Sequence, residues 1–163
     1  MSRADLARTS CSAARTIELF GDGWTLMILR EMFLGGRRFD DLQRQTGASP
    51  HILSQRLKRL EATGVLRREA YSDRPPRHEY RLTAMGRDLW PVVVAMKAWG
   101  DRWLDDGAAS GASAVAIEHR GCGHTVVPRM TCPDCGAPMQ AHDARTLLSP
   151  EFERERAANR NRP

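Results

Sequence analysis

The chain has no apolar run of the roughly 20 residues needed to cross a bilayer; its longest, WPVVVAMKAW at residues 90–99, is half that. The opening MSRADLARTS lacks the apolar stretch of an export signal. A cytoplasmic protein without a membrane partner is therefore expected. Cysteine is scarce, four in 163 residues. In a reducing compartment these are expected as free thiols or metal ligands, not disulfides. No nucleophile–base set and no glycine-rich phosphate loop is visible, so no enzyme activity is expected.

What the chain does have is clustered positive charge. Lys and Arg number 25 against 20 Asp and Glu, a formal +5. Arg37 to Arg81 holds eleven basic and six acidic residues, and so carries the whole excess. That concentration favours a polyanionic partner.

Apolar spacing predicts helices around 12–20 and 22–34, separated by GDG at 21–23, and a short helix over FDDLQRQT at 39–46 ended by Gly47. Ser49 can cap the next helix and Pro50 suits its first turn, which has no need of that N–H. This helix should run through PHILSQRLKRLEAT to the Gly64 stop. VLRREAY and RHEYRL around the charged loop SDRPP read as a hairpin. Thr83 then caps a long helix over 84–104, with Pro91 inside it as a bend. DDGAASGASA is linker-like, and EFERERAANRNRP reads as a disordered polar tail.

Short helix, glycine turn, second helix and basic hairpin make a winged helix-turn-helix, an arrangement that sets the second helix in the major groove of DNA. Leu53, Leu57 and Leu60 should face inward, and His51, Ser54, Gln55 and Lys58 form a polar stripe on the other side. Gln can pair bidentately with adenine, Lys can reach guanine, and Ser can serve either edge. Ser49 at the helix start joins this set. Arg56 and Arg59 flank the stripe as phosphate contacts, with Arg74 and Arg77 of the wing reaching phosphate or the minor groove.

These residues carry a resemblance. The cysteine before GDGWTLMILRE, then G.RRFDDL, LSQRLKRLE..G...R and P.R.EY.LT..G..L, resemble the HxlR family of winged-helix bacterial regulators, related in architecture to the MarR group. The likeness runs from about Cys11 to Trp103. It implies a homodimer on a pseudo-palindromic double-stranded DNA operator. The apolar Trp90, Val93, Val94, Met96, Trp99 and Trp103 of the long helix fit such a dimer. The resemblance also implies a thiol sensor near the first helix, a position that Cys11 matches. An oxidant or small molecule would be its effector. The alternative for Cys11 is a small buried hydrophobe.

The other three cysteines lie in HRGCGHTVVPRMTCPDCG, residues 119–136. CPDCG is a metal knuckle, and HRGCG repeats its spacing with His119 in place of the first Cys. His119, Cys122, Cys132 and Cys135 would make a Cys₃His set for a structural Zn²⁺, with His124 as alternative to His119. The fold class expected is mainly α with a small β-hairpin: a winged helix-turn-helix plus a zinc-ribbon-like appendage. The boundaries expected are 8–106 for DNA binding and dimerisation, 107–114 for a linker, 115–148 for the ribbon-like segment and 149–163 for the tail. The function expected is sequence-specific transcriptional regulation. The competing class is a zinc-ribbon protein-interaction module that uses its helix-turn-helix without specific DNA binding.

Overall fold

A computed structural model describes residues 8–74, 76–104 and 113–160. It divides into two compact units. One runs to Trp90 and resumes at Leu147; the other is Pro91–Thr146.

In the first unit, α1 (Ser12–Phe20) and α2 (Gly23–Phe33) are separated where Asp22 begins a new helix. The Asp22 carboxylate accepts the Thr25 N–H at 3.1 Å and the Thr25 hydroxyl at 2.6 Å, which satisfies an otherwise orphaned donor at the helix start. Helix α3 (Phe39–Thr46) ends at Gly47, whose φ of 71° turns the chain into the next helix. Helix α4 (Pro50–Ala62) starts on the Ser49 hydroxyl, which accepts the Ile52 N–H at 3.3 Å. Ile28 and Leu29 of α2, Leu42 of α3, and Leu53, Leu57 and Leu60 of α4 are all buried, with Val65 and Leu66 closing the core beneath the hairpin. Each such leucine contributes about 1.5–3 kcal/mol by leaving water. The inward spacing expected of α4 is thus observed.

The hairpin is β1 (Leu66–Asp73) against β2 (Pro76–Leu82), antiparallel from Leu66↔Leu82 to Asp73↔Pro76. Its strands reach further than VLRREAY and RHEYRL, taking in most of the segment expected as loop. An irregularity between Ala70 and Ser72 leaves Tyr71 as an extra residue. The hairpin is tied to the helices at two levels. The Tyr80 N–H donates to the Arg37 carbonyl at 2.7 Å, and the Arg38 guanidinium lies 4.7 Å from the Tyr71 ring centre.

Two sequence expectations need correction. The single helix over 84–104 is two: α5 (Ala84–Arg87) and α6 (Trp90–Trp103). Proline lacks an N–H and clashes with the preceding turn, so the helix stops before Pro91 and restarts with it in the first turn. The division into two units falls at Trp90, inside the span 8–106 expected for DNA binding and dimerisation. The tail expected as disordered forms α7 (Pro150–Arg160), begun by the Ser149 hydroxyl accepting the Phe152 N–H at 3.2 Å. Glu155 of α7 accepts hydrogen bonds from the Thr9 hydroxyl, the Ser10 N–H at 2.9 Å and the Ser10 hydroxyl at 2.7 Å. Most of the expected linker, 107–114, lies outside the described residues. In the second unit β3 (Ile117–His119) pairs with β4 (His124–Val126), and Thr131 bridges Pro138.

Candidate nucleic-acid interface

The surface of α4 opposite its leucines is the candidate reading face. His51, Gln55 and Lys58 are exposed there and Ser54 is half-buried. The Gln55 amide nitrogen lies 2.9 Å from His51 Nε2. An amide NH₂ only donates, so this ring nitrogen accepts in the pair, which leaves the Gln55 carbonyl oxygen out of that bond. Ser49 serves the helix itself, since its hydroxyl caps α4.

The flanking arginines correct the sequence reading most. The Nε of Arg56 donates to Asp22 at 2.9 Å, with both side chains about one-fifth exposed (22% and 21%). Arg59 donates to the Glu18 carboxylate at 2.5 Å and to the Glu18 backbone carbonyl at 2.9 Å. Both were expected on phosphates. They instead bind the end of α1 and the start of α2, and fix the reading helix against the helices behind it. Burial pushes the Asp22 carboxyl up. Hydrogen bonds from Thr25 and Arg56, with the Arg56 charge, outweigh that and hold it below the ordinary carboxylate range. Residue type and helical spacing place Arg56 and Arg59 beside the stripe; only the fold shows Asp22 and Glu18 waiting for them.

The wing has its own charge arrangement. Glu69 and Glu79 stand opposite each other in the hairpin, a repulsive pairing on its own. Arg81 bridges them at 2.7 and 2.5 Å, and Arg67 adds a second cation to Glu69 at 2.6 Å. The acids at the base of the wing are thereby neutralised, while Arg74 and Arg77 stay exposed near its tip. Sequence reading missed a second basic feature. A cleft of about 240 Å³ beside the hairpin is lined by Met32, Arg37, Arg67, Tyr80, Arg81 and Arg87. Its arginines come from three separate stretches of sequence, so only the doublet at 37–38 could have hinted at it.

This geometry has counterparts among known proteins. The HxlR-like helix-turn-helix profile matches residues 19–108. The chain belongs to the HxlR family. The HTH-type transcriptional regulator Rv3095 of Mycobacterium tuberculosis is 39% identical to this HxlR protein, over 91% of this chain and 92% of its own. YdeP of Bacillus subtilis, also an HTH-type transcriptional regulator, is 34% identical over 58% and 75%. Among solved structures, the transcription-factor candidate PA1607 superposes with a TM-score of 0.74 at 34% identity, covering 89% of this chain and 99% of its own. The redox regulator HypR in its reduced form superposes with a TM-score of 0.54 at 34% identity, over 58% and 95%. This HxlR protein is a DNA-binding helix-turn-helix transcriptional regulator, and its relatives are regulators, not enzymes.

The remaining predicted residues lie elsewhere. Cys11 is half-buried at the cap position of α1, where its N–H donates to the Thr9 hydroxyl at 3.1 Å. Of the residues expected as tail ligands, His119 lies beside Cys122, while Cys132 and Cys135 share one closed turn. Among the described residues no three His, Cys, Asp or Glu side chains are gathered around a single metal position. His124 is the cross-strand partner of His119.

Proposed function

We propose that this HxlR protein acts as a homodimer that reads a pseudo-palindromic operator through α4 and answers to thiol oxidation at Cys11. The reading rests chiefly on α4, whose leucines are buried while His51, Gln55 and Lys58 are left to solvent. Gln55 and Lys58 supply base contacts, and Arg74 and Arg77 hold the wing to the backbone. Arg37 and Arg38, ahead of α3, take over the phosphate role first given to Arg56 and Arg59.

Dimerisation is supported by α6. Val92, Met96, Trp99 and Trp103 are exposed there, at 46, 50, 57 and 61%. Their spacing of i, i+4, i+7 and i+11 is that of a helix–helix seam, which suits a second copy of the same helix. Two copies would read half-sites about 34–36 Å apart. The thiol response draws on Cys11 at a helix N-terminus and on the likeness to a named redox regulator.

Operator selection with the purified protein, with and without oxidant, tests this reading. Gln55→Ala should relax preference at one position of each half-site by about 1–3 kcal/mol; unchanged relative affinities would show that the stripe is misassigned. Cys11→Ser should keep operator binding and lose its sensitivity to oxidant. A response that survives the substitution removes Cys11 from the mechanism.

A further inference from the structure

The segment 117–139 contains the same turn twice. In the first copy His119 is followed three residues later by Cys122, and in the second Cys132 is followed by Cys135. Each cysteine precedes a glycine with φ of 71°, Gly123 and Gly136, a conformation that glycine adopts without steric cost. The Gly123 N–H donates to the His119 carbonyl at 2.8 Å and the Gly136 N–H to the Cys132 carbonyl at 2.9 Å. HRGCG and CPDCG share only Cys-Gly, yet their backbones close alike.

In the first turn the two side chains converge. His119 Nδ1 lies 3.3 Å from Cys122 Sγ. A tetrahedral zinc at ~2.0 Å from nitrogen and ~2.3 Å from sulfur sets these two atoms about 3.5 Å apart. The histidine ring lies over Gly121, where a Cβ would come within 2.9 Å of its Cε1 and would have to displace the ring. In the other turn Cys132 and Cys135 sit at the same two positions of the closed turn as His119 and Cys122 do in the first.

Each turn also caps a short antiparallel pair. One is β3 with β4; the other is the Thr131–Pro138 bridge, flanked by Cys132 N–H to the Ala137 carbonyl at 2.8 Å and Met139 N–H to the Met130 carbonyl at 2.9 Å. No residue from Ile117 to Met139 is buried. Two hairpins without a core lack the apolar burial that normally holds such pieces together, and metal coordination is the usual substitute.

We propose that the two turns, which among the described residues do not gather three ligands around one point as they stand, are drawn together by one structural zinc ion with His119, Cys122, Cys132 and Cys135 as its ligands. Three sulfurs and an imidazole select a soft tetrahedral cation over Mg²⁺ or Ca²⁺. The site does not depend on the DNA-reading assignment. Four protein ligands leave no open position for chemistry.

The test uses the full chain purified without chelator. Elemental analysis should find about one zinc per chain, with three of the four thiols slow to react until a strong chelator is added. Replacing the zinc with Co²⁺ should give the visible bands of tetrahedral cobalt–thiolate coordination. Cys132→Ser and His119→Ala should each bring zinc down to background, and His124→Ala should leave it in place. The helix-turn-helix unit reports on overall folding, since its α-helical circular dichroism should persist in every variant. Zinc-free protein that takes up neither Zn²⁺ nor Co²⁺, with all four thiols freely reactive, overturns the proposal. Loss of zinc in His124→Ala but not in His119→Ala overturns the assignment of His119.

Discussion

Arg56 and Arg59 show how a single residue's role depends on what the fold sets beside it. A guanidinium bonded to a carboxylate that is itself partly sequestered is a structural strut; removing Arg56 takes the charged donor from Asp22, which keeps its two bonds from Thr25. Arg56→Ala is therefore expected to lower stability by about 1.5–3 kcal/mol at neutral pH, the range for hydrogen bonds to charged groups. The pH dependence follows from Asp22. Its carboxyl is held below the ordinary range in the folded state, so its contribution is complete above the unfolded carboxylate pKa. It is lost as pH falls through the lower, folded value. Urea titrations should show the full gap between wild type and Arg56→Ala at neutral pH and a narrowing gap in strong acid. The slope of log affinity against log salt should stay unchanged, whereas a true phosphate contact would reduce it by about 1. A single sequence could supply the residue types of the reading stripe but not these pairings, because Asp22 and Arg56 stand far apart along the chain.

Among the elements, the turn of the helix-turn-helix was the most legible: α3 ends at Gly47 and α4 begins at Ser49 and Pro50. Local signals sufficed there because both of these boundaries are set by a cap or a turn residue next to them. The short helix α5 is different, since its placement depends on a distant partner. The Thr83 hydroxyl donates to the Gly64 carbonyl at 2.6 Å, and its oxygen accepts the Gly86 N–H at 3.2 Å. A Cβ on Gly86 would meet the Val65 carbonyl oxygen at 2.3 Å, backbone that cannot step aside. Gly86→Ala should therefore cost about 1–3 kcal/mol through overpacking and loosen the base of the wing. Thermal unfolding with hydrogen exchange at Val65 and Leu66 checks both parts. Helix α7 was hidden for the opposite reason. Its sequence, PEFERERAANR, has a mean composition so polar that only the Ser149 cap marks it.

At the scale of the whole molecule, the proposed homodimer would carry two reading heads, and the exposed seam on α6 is the feature that would join the two copies. Trp99→Glu would place a charge in that seam. The variant is expected to sediment as a monomer and to bind a full operator about 10²–10⁴-fold more weakly, because the second half-site no longer adds to the first. Equal affinity in both proteins would mean that one reading head suffices. A truncation experiment would meet a different feature. The family match stops at residue 108, which makes the residues beyond it look dispensable. Yet Glu155 of α7 accepts the hydroxyls of Thr9 and Ser10 and the Ser10 N–H, immediately before Cys11. These donors hold the Glu155 carboxyl below its usual range. A shortened chain ending near residue 108 would keep every DNA-reading side chain and lose the carboxylate that fastens the segment leading into the thiol. Oxidant sensitivity measured on such a fragment would describe an untethered cysteine, not the one the complete protein presents.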